Sequence, residues 1–102
     1  MSKSAISLLT IITESAIESQ IISDFKALNV PGYTICNARG RGNRGKRRGN
    51  WTADSNIRIE VVCSETMAQE LLQHLEEKYY DNFAMIAFHC PVNVIREQKF
   101  LG

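Results

Sequence analysis

The chain has 102 residues, 44% of them apolar and 23% charged, with a formal net charge of +1. A single domain spanning 1–102 is expected at this length, and a membrane-spanning helix is excluded because no apolar run approaches about 20 residues. Six of the twelve basic residues (Arg39, Arg41, Arg44, Lys46, Arg47 and Arg48) fall within ten positions, which leaves six basic against eleven acidic residues elsewhere and excludes a uniformly basic nucleic-acid coat.

The first element is a strand over residues 5–12 (AISLLTII), β-branched and apolar on both faces, as suits the middle of a sheet. With Thr10 interrupting it and no small-residue cleavage site, this stretch reads as a strand and not as a signal peptide. A helix follows from Ser15, with Glu18 three residues on as a capping box and with Ile17, Ile21, Phe25 and Leu28 on one face. Asn29-Val30-Pro31-Gly32 ends it, with Pro and Gly where a helix stops. Residues 33–38 (YTICNA) form a second strand. Residues 39–55, with four glycines after Arg39 and six basic side chains, have no periodicity and form a long loop. Alternation returns from Asn56, with Ile57, Ile59 and Val61 on one face of a third strand. Ser64 caps a second helix whose apolar stripe is Met67, Leu71, Leu75 and Tyr79, widened by Ala68 and Leu72. Residues 83–90 (FAMIAFHC) form a fourth strand, broken by Pro91, and residues 92–95 a short extra C-terminal strand.

The order β-α-β-loop-β-α-β fits an α+β, ferredoxin-like βαββαβ sandwich with both helices on one face of an antiparallel sheet. Strands one and four are apolar on both faces, so the face away from the helices is expected to be buried by other copies of the chain.

The segment from Arg39 to Gly49 alternates glycine with guanidinium groups. Glycine lets backbone N–H groups close on a phosphate, and arginine binds phosphate oxygens bidentately without losing its charge. The pattern indicates an anion site or a solvated charge run. It is neither a Walker A loop nor a GxGxxG turn opening a helix. Its RGG-like composition also suggests RNA, but the strands lack the aromatic pattern with which such a sheet stacks bases and the body of the chain is acidic, so nucleic acid is disfavoured.

These residues, in this order, resemble the PII-like signalling proteins, most closely their SbtB and carboxysomal PII branch. Ile12-Thr13-Glu14 before the first helix and Gly32-Tyr33-Thr34 leading into strand two resemble the family's opening. Gly40-Arg41-Gly42-Asn43-Arg44 resembles its "GKGSR" stretch at the base of the T-loop, with Arg47 as a further arginine. Asp54-Ser55-Asn56 running into Ile57-Arg58-Ile59-Glu60-Val61 resembles "DSNVKFEVL", and Lys78-Tyr79-Tyr80 through Phe83-Ala84-Met85-Ile86 resembles "KFF…YAGII".

The resemblance implies a homotrimer binding an adenine nucleotide (AMP, ADP, ATP or cyclic AMP) between subunits, with bicarbonate as a further effector. The partner it implies is a bicarbonate transporter or another acidic surface met through the T-loop, about residues 39–55. It implies Arg44 and Arg47 on phosphate, Gly40, Gly42 and Asn43 at the loop base, Gly32 and Thr34 lining the cleft, and the backbone of Ala84, Met85, Ile86 and Ala87 facing the adenine. Arg39, Arg41, Lys46, Arg48 and Trp51 remain for a partner, although Trp51 folding back onto the sheet is an equal reading. Met85 stands where the family often has glycine and is expected to narrow the adenine pocket. The sequence shows no "CGPxGC" motif, so no redox switch or apyrase activity tied to it is expected.

The other chemistry-bearing residues are weaker signals. His74 reads as a solvated helix residue. Three widely spaced cysteines without a CxxC pair point to a reducing, cytoplasmic setting and to small core residues. Convergence of Cys36, Cys63, His89 and Cys90 on a metal, as in CutA-like trimers of this shape, is the alternative, but spacing does not support it. Glu14 and Glu60 are candidates to pair with loop arginines. With no activated nucleophile beside them, no enzymatic activity is expected.

Overall fold

In a computed structural model, which describes residues 5–40 and 55–101, six main elements follow in the order strand, helix, strand, strand, helix, strand. They are β1 (Ile6–Glu14), α1 (Glu18–Ala27), β2 (Thr34–Ala38), β3 (Asn56–Ser64), α2 (Glu65–Lys78) and β4 (Met85–Pro91). The four strands form one antiparallel sheet in the order β2-β3-β1-β4. This is the expected α+β ferredoxin-like arrangement. Among the described residues, no helix is long and apolar enough to cross a membrane.

Alternation along the strands sorts the side chains. Leu9 and Ile11 of β1 stand opposite Val61 and Ile59 of β3, and all four are fully buried. They meet Ile17, Ile21 and Phe25 from the first helical segment and Ala68, Leu71, Leu75 and Tyr79 from α2 and its end. The other sheet face carries Leu8 and Ile12 of β1 beside Ile86 and Phe88 of β4. Ile86 is 53% exposed and Phe88 46%, so this face of the chain is apolar and uncovered at β4.

Local chemistry explains where the elements depart from expectation. β1 runs to Glu14 and passes directly into a 3-10 turn, Ser15–Ile17, before α1. The Ser15–Glu18 capping box is not formed, because Ser15 N–H is instead donated to the Ser55 carbonyl at 2.7 Å. Asn29, at φ 61°, closes α1 in a Schellman turn: Val30 N–H reaches the Phe25 carbonyl at 3.0 Å and Asn29 N–H the Lys26 carbonyl at 3.3 Å. Asn29, the first of the four residues expected to end the helix, supplies the left-handed position, and Leu28 is left exposed beside it. Ser64 does cap α2, its Oγ accepting the Met67 N–H at 3.1 Å.

Pro91 does not break β4. The Val92 N–H donates to the Ile6 carbonyl at 3.0 Å, which makes the even-numbered residues of β4 the ones bonded to β1. Pro91 lies at an odd position whose nitrogen faces the free edge, where a missing N–H costs nothing. The expected strand over 92–95 is absent. The chain turns there, passes through Arg96 at φ 67° and forms a short 3-10 helix, Glu97–Phe100.

The two helices are joined by one carboxylate. Asp24 of α1 accepts hydrogen bonds from Tyr79 Oη at 2.6 Å and Lys78 Nζ at 2.8 Å, and pairs with His74 Nε2 at 2.9 Å. His74 is thus a tethered side chain and not the solvated one expected. Burial raises the Asp24 pKa, but the hydrogen bonds from Lys78, Tyr79 and His74 outweigh it and hold the carboxyl below its ordinary 3.8. Burial, followed by the bond to Asp24, raises that of Tyr79.

Asp24→Ala is expected to cost about 2–3 kcal/mol in denaturant unfolding at fixed protein concentration, because it strips partners from three donors. Since the folded pKa is depressed, the Asp24 contribution is complete above 3.8 and is lost as pH falls through the folded value. Asp24→Asn should flatten that part of the acid limb, and an unchanged limb would contradict the assignment.

Candidate functional site

The basic loop leaves and rejoins the sheet at one end. There Ala38, the last residue of β2, faces Asn56, the first of β3, and Asn56 faces Glu14 at the end of β1. Arg39 and Gly40 follow β2 and are exposed. Arg41, Gly42, Asn43, Arg44, Lys46, Arg47, Arg48 and Trp51 lie outside the described residues. At Gly32 and Gly40 an added Cβ would meet nothing within 4 Å, so the space above both backbones is open.

The corner formed by Thr13, Glu14 and Ser15 reaches both neighbouring strands. Thr13 Oγ1 donates to the Ala84 carbonyl at 2.6 Å, and the Ala84 N–H donates to Glu14 Oε2 at 2.6 Å. One side chain from each of two successive residues therefore satisfies both polar groups of one backbone residue just ahead of β4. Ser15 N–H in turn holds the Ser55 carbonyl, where the chain returns from the loop. Glu14 Oε2 thus engages backbone and Glu60 accepts from Arg58 Nε at 3.1 Å, while the loop arginines from Arg41 to Arg48, with which both were expected to pair, lie outside the described residues. The sequence carries no spacing signal for this corner, because it depends on the register that sets Glu14 beside Ala84.

Strand parity then decides which backbone groups face outward. In β4 the N–H and C=O groups of Ile86 and Phe88 point to β1, whereas those of Met85, Ala87 and His89 point to the free edge. The Met85 side chain is buried in the core. Ala87 packs against the same core, and the Ile86 side chain stands on the open sheet face. Thr34 opens β2 opposite Glu60, on the opposite edge of the sheet. Two strands separate β2 from β4, and three inter-strand spacings amount to about 14 Å. One chain therefore does not bring Gly32, Thr34 and Gly40 against the 84–87 segment.

The sulfur and imidazole groups do not converge either. Cys36 and Cys90 are exposed on the open face, whereas Cys63 and His89 lie on the helix side of the sheet. Only Cys63 is the small core residue expected of all three, and burial pushes its thiol up to about 11. His89 Nδ1 is 3.2 Å from the buried Ser7 Oγ. Among the described residues, no three His, Cys, Asp or Glu side chains are grouped to hold a metal ion.

Comparison with known proteins agrees with the fold. The family model described as Nitrogen regulatory protein P-II matches residues 6–99. A protein of Thermus thermophilus described as PII-like signalling is 40% identical, with a TM-score of 0.78, covering 98% of this chain and 99% of that one. The CPII protein of Thiomonas intermedia, solved bound to ADP and bicarbonate, is 26% identical with a TM-score of 0.77, covering 94% of each chain. A functionally unknown protein of Pediococcus pentosaceus, 13% identical with a TM-score of 0.68 over 92% of this chain and 98% of that one, shares the fold. With the family match spanning nearly the whole sequence and a relative this similar end to end, the chain belongs to the P-II family and is a PII-like signalling protein.

Proposed function

We propose that this regulatory protein is a homotrimer that binds an adenine nucleotide in the clefts between subunits and uses its basic loop to control a partner. The observation that carries the reading is the Thiomonas relative solved with ADP and bicarbonate. Two features of the chain support it. Among the described residues that the resemblance implies as ligand contacts, Gly32, Thr34 and Gly40 lie by one edge of the sheet and residues 84–87 by the other, as suits a cleft in which β4 of one copy approaches β2 of another. The open sheet face, with Ile86 and Phe88 half exposed, offers the apolar area that such an assembly buries.

In this reading Arg44 and Arg47 hold the phosphates, Gly40, Gly42 and Asn43 shape the loop base, and Gly32 and Thr34 line the cleft. The free edge of β4 faces the adenine through the N–H and C=O groups of Met85 and Ala87. Arg39, Arg41, Lys46, Arg48 and Trp51 meet an acidic partner surface, a bicarbonate transporter or another inorganic-carbon system being the partner proposed from the SbtB-like residues. The protein acts as a cytoplasmic sensor and not as an enzyme. Ligand contact with the loop base biases the loop between states, which requires the nucleotide to prefer one of them. The metal-linked alternative loses support because Cys36 and Cys90 lie on the sheet face opposite Cys63 and His89.

Calorimetry with ADP, AMP, ATP and cyclic AMP should show binding by at least one of them, and Arg44→Ala should weaken it about tenfold or more, as the loss of a charge-assisted hydrogen bond does. Failure of all four to bind an intact trimer would overturn the reading. Ile86→Arg should shift the protein toward monomers in light scattering and abolish nucleotide binding with the assembly. Monomers that bind ADP with unchanged affinity would show that the site lies within one chain.

A further inference from the structure

We infer that Glu14 and Thr13 are positioning residues for the base-recognising edge of the nucleotide site: together they clamp the Ala84 peptide groups and so set the height and orientation at which β4 presents Met85 and Ala87. The inference rests on the proposed nucleotide site.

Carried down β1 and β4, the pattern of paired residues places Ala84 opposite Glu14, where a further ladder bond would run from the Ala84 N–H to the Glu14 carbonyl. That N–H goes instead to the Glu14 carboxylate at 2.6 Å. The Ala84 carbonyl is taken by the fully buried Thr13 hydroxyl at 2.6 Å. Neither group is left for a ligand, so Ala84 is support and the next outward-facing groups are those of Met85 and Ala87.

A carboxylate accepting a backbone N–H makes a shorter and stronger bond than a neutral carbonyl does. The clamp sits where an edge strand would otherwise fray, and among the described residues β4 has no partner strand on its outer side. Adenine and guanine present opposite hydrogen-bonding patterns on the edge that pairs, so a backbone N–H and C=O at fixed positions distinguish them. Loosening the strand start should cost this discrimination first. The phosphates, held in the proposed site by loop arginines, should feel it least.

The test compares ADP with GDP by calorimetry on the full-length assembled protein, together with thermal stability and oligomeric state. Glu14→Ala should reduce the ratio of ADP to GDP affinity about five- to tenfold, with affinity for inorganic pyrophosphate unchanged. Glu14→Gln, which keeps an acceptor oxygen for the Ala84 N–H, should stay within about twofold of the parent. If Glu14→Ala fails to assemble, Thr13→Val, which removes the second bond at nearly constant volume, carries the same expected loss. An unchanged ratio in Glu14→Ala, or in Thr13→Val where that variant stands in, overturns the inference, as does a loss in Glu14→Gln equal to that in Glu14→Ala. Absence of ADP binding by the parent protein would instead defeat the nucleotide site itself, so the two failures are distinguishable.

Discussion

Ile6–Glu14 is hydrogen-bonded along both edges, to β3 through its odd-numbered residues and to β4 through its even-numbered ones. That double commitment is the constraint from which the rest of the molecule is built. Side chains alternate between sheet faces while backbone groups alternate between strand edges. Once β1 is in register on both sides, Leu9 and Ile11 must face the helices and Ile12 must stand beside Ile86 on the open face. The same parity turns the Met85 and Ala87 backbone outward and leaves the Pro91 nitrogen at the free edge, where proline is tolerated.

The register also concentrates the molecule's connections at one end of the sheet. The basic loop departs after Ala38 and returns at Asn56, Glu14 faces Asn56, and Ala84 is held by Thr13 and Glu14. A single corner of three residues thereby touches the return from the loop through Ser15 and the approach to β4 through its two side chains. Arg39 and Gly40, which follow β2, and the outer edge of β4 belong to opposite sides of the same sheet, so the proposed site draws on more than one copy of the chain.

Most of the fold was legible in the sequence because its signals are periodic. The all-apolar β1, the alternation of Ile57, Ile59 and Val61, and the stripe of Leu71, Leu75 and Tyr79 each repeat often enough to override local ambiguity. The element ends were harder, since they turn on single hydrogen bonds. Ser15 resembles a helix cap, but its N–H is claimed by Ser55 across the sheet. A tertiary partner also accounts for the misread side chain of His74, which is drawn to Asp24, fifty residues away. Of the loop base expected at Gly40, Gly42 and Asn43, only Gly40 is among the described residues. The Thr13–Glu14 clamp was not legible, because nothing along the chain announces which backbone group will lie beside a carboxylate seventy residues earlier.

The central claim is that each nucleotide site is shared between two copies, and mixing two defective chains tests it most directly. Arg44→Ala removes a proposed phosphate ligand from the loop, and Ala87→Pro removes an N–H from the free edge of β4 at a position where, as at Pro91, no ladder bond is lost. Each variant alone should bind ADP weakly. If the site lies between copies, co-assembling the two at equal ratio should restore parent-like binding in about a quarter of the clefts, those that take an intact edge from one copy and an intact loop from its neighbour. If each site is built within one chain, every site in the mixture carries a defect, and no restoration at all would contradict the account.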